Sequence, residues 1–520
     1  MIPLSSLRRC VRDALEYIKT QPDVAEAEVF ASANGNLTAR LNYTSHIPSN
    51  GVEEPKSVEL AGLGIRVAFN TPAGLKTGYG SEASDLSVEG ARRALDKARL
   101  GAVVDTEYVS LPKPRGVQPA LRNYHDPRIM RLTGNGLVEA AWETVERALG
   151  VFSSSEDLLN VAGSPEGVRS LGLILGGDVV FLQERMAIGS THMSRILTDE
   201  STLVMSLATA MVEQQLGKGT GCFVASRMSD SQGQAGAEAA RNAIASMNGR
   251  RVDGGAYRVV LGPQPVTELL EWVLMPSLDL GAFHANMSMF RGRFGQQIAS
   301  SQLSLYDDGS APDLAASKGI TDEGLPTGRV DIISCGRLTG LLANHYEQQR
   351  MLHDPKGREK LGVDPASVSD GIAPRNGFRT GRGGGRNFDS PPGTTPTNLI
   401  VEGQDSYNRQ QLLEMVGDGL YIGRIWYTYL VNGISAGDFS GTVVGDSYVF
   451  ENGRLSTPIK PNTLRLNDNI GRVISNVLGV GSERTGVVRW SSDQVTWAPE
   501  IVVADFRVDE IAEYMDSVYS

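Results

Sequence analysis

The chain has 520 residues, of which 41% are hydrophobic and 21% are charged, so it can bury sizeable cores and its composition does not indicate disorder. Its formal net charge of -11 argues against a duplex-binding surface, which needs clustered positive charge. The three cysteines, Cys10, Cys222 and Cys335, are far apart, which excludes a disulfide framework and a structural zinc site and favours a reducing cytoplasm.

The N-terminal half is predicted to open with an amphipathic helix over residues 7–18 rather than with a signal peptide. Asn34-Gly35-Asn36, between two strand-like runs, predicts a hairpin. The most apolar run, residues 171–182, is too short and too rich in glycine to span a bilayer, and it predicts two strands joined by a turn. The other predicted elements are strands at 62–69 and 75–80, helices at 86–100 and 137–149, antiparallel strands over 168–212 and a helix at 235–247.

The C-terminal half is predicted to begin after a boundary at residues 250–255. Its predicted strands are 256–262, 302–306, 329–334, 337–342 and 445–451, and its predicted helices are 267–274, 469–478 and 508–519. Residues 371–397 form a long loop rich in glycine, proline and arginine, and long loops inside compact domains are often functional. The whole pattern predicts an α+β fold with antiparallel-rich sheets in two large domains, residues 1–250 and 251–520.

Three stretches carry a resemblance to the TldD/PmbA family, in the linear order and spacing of that family. They are Gly62-Leu63-Gly64-Ile65-Arg66-Val67, Phe290-Arg291-Gly292-Arg293-Phe294-Gly295, and a third group made of Pro396-Thr397-Asn398-Leu399, Asp418-Gly419-Leu420 and Gly437-Asp438-Phe439-Ser440-Gly441. The resemblance implies the family fold, with a substrate cleft in the C-terminal domain. It also implies metallopeptidase chemistry, in which a His-Glu-x-x-x-His helix and a distant cysteine of the active subunit hold a zinc ion that activates water.

This sequence departs from that pattern at each expected zinc ligand. The stretch that matches the metal helix, residues 267–276, contains no histidine, and no cysteine follows Cys335. Since zinc sites are built from thiolate, imidazole and carboxylate ligands, the family site cannot form here. The resemblance therefore implies a TldE-like (PmbA-like) partner subunit without a metal of its own, which encloses the cleft while a TldD-type subunit holds the zinc.

A few residues remain as candidates for direct chemistry. Glu268 and Glu271 occupy the place of the lost metal helix, where a carboxyl group with a raised pKa can act as an acid or base, although the plainer interpretation is a solvated helix face. His284 lies just before the second family motif, near the expected cleft. His345 is a candidate for substrate binding, and together with His353 it is also a conceivable metal site, although surface or loop positions are the plainer interpretation.

The basic loop carries the remaining substrate-binding candidates. Arg379 and Arg382 are the two residues selected, and the same loop also contains Arg375 and Arg386. Such a loop can bind an acidic group, or it can order against a partner. Residues 217–221 lack the spacing of a phosphate loop. Ser435 sits in a chance GxSxG match that no helix follows, so we interpret that segment as a structural turn.

Three functions remain open from the sequence. The first is the non-catalytic subunit of a heteromeric zinc peptidase acting on peptides or peptide-like conjugates, with a role in antibiotic biosynthesis as one option that the resemblance offers. The second is a metal-independent enzyme that uses the same cleft. The third is a binding protein that modulates another machine, as the family's older description as a modulator of DNA gyrase suggests. The expected setting is cytoplasmic, without membrane contact, and a chain on its own is expected to form a homodimer.

Overall fold

The computed structural model describes residues 2–47, 50–72, 74–114, 121, 123–228, 233–381, 384–489 and 492–512. The architecture is α+β, with two large sheets that are mostly antiparallel, which confirms the predicted fold class. Among these residues, no helix is long and apolar enough to cross a membrane.

The helices and strands follow one another in mixed order along the chain. The α-helices are α1 (Leu4–Ile18), α2 (Val88–Leu100), α3 (Gly134–Ser154), α4 (Glu156–Ala162), α5 (Pro165–Ser170), α6 (Gln234–Ala245), α7 (Pro263–Leu269), α8 (Leu280–His284), α9 (His345–His353), α10 (Gly357–Leu361), α11 (Arg409–Val416) and α12 (Ile470–Ser475). The strands are β1 (Val24–Thr44), β2 (Lys56–Thr71), β3 (Gly74–Ala83), β4 (Val103–Val104), β5 (Leu173–Ser190), β6 (Leu197–Val212), β7 (Gly217–Ala225), β8 (Gly255–Leu261), β9 (Leu303–Asp308), β10 (Arg329–Ser334), β11 (Arg337–Leu338), β12 (Gly377–Phe378), β13 (Gly393–Thr394), β14 (Asn398–Gly403), β15 (Gly419–Ile422), β16 (Arg424–Leu430), β17 (Asp438–Gly445), β18 (Tyr448–Glu451), β19 (Arg454–Pro458), β20 (Leu464–Asn469), β21 (Val477–Val487) and β22 (Val495–Glu510).

The first sheet has seven strands in the order β4-β3-β2-β1-β5-β6-β7. Its long central strand β1 alternates along most of its length, so that odd-numbered apolar residues such as Val29 and Leu37 point to one face. Helices α1 and α2 cover one end of that face, and α3 and α6 cover the other. The even-numbered residues, which include Asn36, Thr38 and Arg40, point to the opposite face. That polar face looks toward the C-terminal half.

Two turns predicted in this sheet are wrong. The predicted hairpin at Asn34-Gly35-Asn36 lies in the middle of β1, where these residues pair with β2 and β5 without a break. The predicted turn near Gly176 lies inside β5, which pairs continuously with β1 and β6. Glycine permits close packing at Gly35, where a Cβ would lie 2.3 Å from the side-chain oxygen of Gln183, and at Gly177, where a Cβ would lie 1.9 Å from the Leu207 carbonyl oxygen.

The second sheet has thirteen strands, all of which begin after Gly254. Its long strand β22 pairs with β8, β14, β20 and β21 and so forms the centre of the largest apolar core. The helix predicted at 508–519 is wrong for its first turn, because β22 continues to Glu510; residues 513–519 lie outside the described part of the chain. The predicted long loop contains one small two-stranded sheet, β12 paired with β13.

Buried ion pairs connect the two halves. Arg379 donates to Glu28 of β1 at 2.6 Å, and Glu28 also accepts from Arg66 at 2.8 Å. Arg386 donates to Asp199 of β6 at 2.5 Å and to Asp322 at 2.6 Å. All of these carboxyl groups are almost completely buried. The seven-stranded sheet is thus joined to the C-terminal half by ion pairs that are almost inaccessible to solvent.

Candidate functional site

A cavity of about 1000 Å³ lies between the polar face of the seven-stranded sheet and the C-terminal half. Its sheet wall is formed by alternate residues of three strands: Asn36, Thr38, Arg40, Asp178, Val180, Glu184, Met205 and Leu207. Its opposite wall includes Glu271, Met275, Asp279, Thr394, Thr395, Val488, Arg489 and Asp493. A cavity of this size with mixed polar and apolar walls accommodates a ligand the size of a short peptide segment.

The segment after α7 brings Glu271 to this cavity. Residues 270–274 form a single π-helical turn, a distortion that occurs frequently at functional sites. The Glu271 side chain is fully buried and accepts a hydrogen bond from the Thr496 hydroxyl at 2.7 Å. Arg489 places its Nε 3.2 Å from the second carboxylate oxygen, but the two are not aligned for a hydrogen bond. Burial raises the pKa of Glu271 to about 7, because the misaligned guanidinium compensates little of the lost hydration.

Arg489 is held in place by stacking. Its guanidinium lies 3.8 Å from the centre of the Trp272 ring, which is itself partly exposed. A guanidinium over an indole face is a favourable cation–π arrangement. This stacking holds Arg489 in the cavity wall beside Glu271.

Glu268 faces a smaller pocket of about 150 Å³ that shares Asp178, Leu207, Val488 and Arg489 with the wall of the main cavity. Burial raises the pKa of Glu268, and the positive charges of Arg424 and Arg489 oppose that effect only in part. The structure thus brings Glu268 and Glu271 to neighbouring cavities and buries both, whereas the plainer interpretation from the sequence was a solvated helix face.

His284 lies beside the main cavity rather than in its wall. The wall runs through its neighbours Ala282 and Ala285, whereas the His284 imidazole lies 3.4 Å from Glu107 and 3.4 Å from Asp354. Burial lowers the pKa of His284, with the nearby Arg350 as the next cause. Its ring contacts are therefore made to a charged cluster of the protein itself.

His345 and Arg379 also have partners within the protein. His345 begins α9, its backbone N–H donates to Glu323 at 2.8 Å, and its Nε2 lies 3.1 Å from the Ser110 carbonyl oxygen. Burial lowers the pKa of His345 to about 4. Arg379 borders the cavity, but its guanidinium is fully buried and bonded to Glu28. Arg382 lies outside the described residues.

The residues near the π-helical turn do not fit a zinc ion. Glu268 and Glu271 supply two carboxyl groups, but Arg489 acts on both of them and Arg424 acts on Glu268, and a cation beside a guanidinium is repelled. No group of three or more His, Cys, Asp or Glu side chains that could hold a metal is found in the described parts of the chain.

Several cavity residues were not selected from the sequence. Arg489 and Arg424 are two of them, and Lys318, which is paired with Glu184 in the cavity wall, is a third. Asp493 is a fourth, and it accepts a 2.6 Å hydrogen bond from the Gly385 N–H. No motif marks these positions, because Arg424 lies on β16 and the other three lie in connecting segments, all of them far from Glu268 in the chain.

Comparison with known proteins gives a consistent result. The C-terminal domain model of the PmbA/TldA metallopeptidases matches residues 254–510. A metalloprotease of Synechocystis sp. is 22% identical over 47% of this chain and 46% of its own length. A protein described as a metalloprotease TldD homolog from Haemophilus influenzae is 25% identical over 44% of this chain and 41% of its own length. The matched part thus spans less than half of each of these relatives.

Solved structures extend the likeness to the whole chain at the level of the fold. The crystal structure of TldE from Thermococcus kodakarensis has a TM-score of 0.74 at 14% sequence identity and covers 97% of this chain and 100% of the other. A candidate modulator of DNA gyrase from Bacteroides thetaiotaomicron has a TM-score of 0.70 at 18% identity, with 97% and 98% coverage.

Proposed function

Because this chain belongs to the TldD/PmbA family, we propose that it is the metal-less, substrate-enclosing subunit of a heteromeric peptidase whose zinc is held by a separate TldD-type subunit. In this proposal the chain contributes cavity walls, binds the peptide and keeps water away from it. Peptide-bond cleavage takes place in the partner.

One observation carries the proposal, and it is the composition of the wall at residues 268–271. The place where the family's metal helix is expected faces the cavity, so the position itself fits an active-site wall. Its carboxyl groups, however, have Thr496 and Arg489 as neighbours instead of imidazole or thiolate groups. This part of the chain therefore forms a cavity wall in the position of the family's metal helix but offers no imidazole or thiolate ligand for zinc. A subunit that encloses the substrate while its partner holds the zinc needs a wall of this kind.

An extended peptide is the ligand that we propose for the cavity. The strand β13 pairs on one side with β12 in a two-stranded sheet, and its Thr394 lies in the cavity wall. A peptide can add to such a short strand through main-chain hydrogen bonds, a mode that tolerates varied side chains. The polar wall from β1 and β5 offers hydrogen-bonding groups along the opposite side.

A second candidate function rests on Glu271. A carboxyl group whose pKa is raised to about 7 and that lies in the wall of a large cavity can give or take a proton near neutral pH. In that case the isolated chain would act on a peptide-like substrate without a metal, and Glu271→Gln would abolish the activity.

The test combines metal analysis with a peptidase assay that uses a library of internally quenched peptides. We expect the chain alone to hold no zinc and to be inactive, and the chain co-expressed with a TldD-type subunit to hold about one zinc per heterodimer and to cleave peptides. Stoichiometric zinc in the isolated chain would overturn the proposal. Chelator-resistant cleavage by the isolated chain that is lost in Glu271→Gln would favour the second candidate instead.

A further inference from the structure

The small pocket beside the main cavity contains an arginine whose charge has no direct partner. Arg424 begins β16 and lines this pocket together with Glu268, Thr267 and Thr209. Its guanidinium lies 5.0 Å from the centre of the Trp426 ring. Across the described chain, no carboxylate lies within 4 Å of its guanidinium and no acceptor is within hydrogen-bonding distance, although Glu268 and Asp446 act on it from farther away.

Among the described residues that line the two cavities, every other cationic side chain has a carboxylate within 4 Å. Arg40 is bonded to Asp178, Lys318 to Glu184, Arg379 to Glu28 and Arg386 to Asp199, and Arg489 contacts Glu271. Arg424 therefore differs from these other cations, because it has no carboxylate partner. A half-buried guanidinium with no anion beside it is poorly compensated, and it gains from a ligand that supplies one.

The charges around Arg424 compensate its positive charge only in part. Burial lowers the pKa of the Arg424 guanidinium, and the nearby Glu268 and Asp446 offset that only in part. Lys218 is a second cation in this region, and its pKa is lowered by burial and by Arg424. Burial raises the pKa of Asp446 to about 7, and its carboxyl group is already bonded to Thr220. The region as a whole has room for one more negative charge.

We propose that this pocket is a carboxylate-binding subsite of the peptide cavity, in which Arg424 grips an acidic group of the bound peptide. The proposal rests on the proposed function, since it places the subsite beside the peptide. The acidic group is either a glutamate or aspartate side chain or the C-terminal carboxylate, because both present the same two oxygens to a planar guanidinium.

The dimensions and neighbours of the pocket agree with that ligand. A volume of about 150 Å³ corresponds to roughly five water molecules and accepts a carboxylate with one or two methylene groups. The pocket and the main cavity share four wall residues, so a peptide in the larger cavity can extend a side chain or its terminus into the smaller one. Glu268 faces the same space, and its raised pKa reduces the repulsion of a bound carboxylate.

The experiment measures binding of dansyl-labelled alanine pentapeptides to the purified full chain by fluorescence anisotropy. One peptide has a central glutamate and an amidated C-terminus, a second has glutamine instead, and a third has glutamine and a free C-terminus. We expect at least one acidic peptide to bind about tenfold or more tightly than the neutral one, as is typical of hydrogen bonds to a charged group. The peptide that gains affinity identifies the source of the carboxylate.

Three variants locate the effect. Arg424→Gln should abolish the preference while leaving the affinity for the neutral peptide unchanged, and Arg424→Lys should retain part of the preference. Arg9→Gln, at an exposed position of α1, should behave like the wild type. Since Arg424 is uncompensated, Arg424→Gln should not lower Tm. A preference that survives in Arg424→Gln, or peptides that all bind wild type equally, would overturn the subsite.

Failure of the proposed function gives a different result. If no pentapeptide binds, the peptide cavity is disproved, and glutarate then tests the subsite by itself. A glutarate-dependent rise in Tm in the wild type and in Arg9→Gln, absent in Arg424→Gln, would retain the carboxylate site without a peptide. Equal behaviour of all three proteins in glutarate would show a pocket that holds only water and would overturn the proposal.

Discussion

At the scale of a single residue, the burial of the Glu271 carboxyl group makes the folding stability depend on pH. Its pKa is raised to about 7 in the folded protein, against the ordinary value of 4.5 for a glutamate in water, and its side chain is fully buried. The folded state therefore holds this proton more tightly than the unfolded state does. Its contribution favours folding fully below about pH 4.5 and is lost as pH rises toward 7, and it amounts to up to about 3 kcal/mol.

We therefore expect Glu271→Gln to flatten the pH dependence of stability. The Tm of the wild type should fall more between pH 5 and pH 8 than that of the variant, because glutamine has no proton to lose. Differential scanning calorimetry at the two pH values measures this. Glu16→Gln, at an exposed position, is the matched control and should follow the wild type. Parallel curves for wild type and Glu271→Gln would show that Arg489 compensates the carboxylate.

How much of the site could be predicted from sequence depends on distance along the chain. Glu268 and Glu271 were selected because they stand where the family resemblance places the metal helix, ahead of the motif at Phe290, and the structure places both at cavities. Arg424 and Arg489 were not found, because they reach the site on β16 and after β21 and no local pattern distinguishes them from other arginines. Side-chain partners such as Glu28 for Arg379 likewise depend on the packing of two sheets.

Among the elements, β1 shows which signal outweighs a turn motif. Its Asn34-Gly35-Asn36 step suggested a turn, yet apolar and polar residues keep alternating through Gly35, whereas the apolar run around Gly176 in β5 has no such alternation. In a strand each side chain takes the face opposite to its neighbour, so unbroken alternation means that one strand continues. The alternation was readable in the sequence, whereas the close approach of Gln183 to Gly35 needed the structure.

Gly177 provides a test of this element. It has a φ of 136° within β5, and an added Cβ would lie 1.9 Å from the Leu207 carbonyl oxygen. Gly177→Ala should therefore cost more than about 1 kcal/mol of unfolding free energy, as is typical where alanine is incompatible with the native backbone. Urea unfolding followed by circular dichroism measures the change.

The matched control is Gly150→Ala in α3. That position is exposed, and an added Cβ would meet nothing within 4 Å. Alanine is the better helix former, so this change should stabilise the protein by about 0.5–1 kcal/mol. If the two substitutions had the same effect, the strained conformation of Gly177 would be wrong.

At the scale of the whole molecule, buried ion pairs hold the two halves together. Removing Arg386 would leave Asp199 and Asp322 buried without their cation. We expect Arg386→Met to cost about 3–5 kcal/mol of unfolding free energy, because an isolated buried charge is far less favourable than a paired one. Guanidinium chloride unfolding provides the measurement.

An exposed pair serves as the comparison for Arg386. Arg484 lies 2.6 Å from Glu402, and both side chains are more than a third exposed. Arg484→Gln should therefore cost less than about 1 kcal/mol. A similar loss in both variants would mean that the Arg386 pairs contribute no more than a surface contact.

The main cavity is bounded on one side by β1, β5 and β6 and on the other by the C-terminal half, so neither half possesses it alone. A ligand bound there contacts both halves, so its binding free energy also stabilises their association. By thermodynamic linkage, any change that separates the two halves also lowers the affinity of the ligand. The buried ion pairs of Arg379 and Arg386 hold the two halves together. Their strength therefore limits how readily a ligand can enter and leave the cavity.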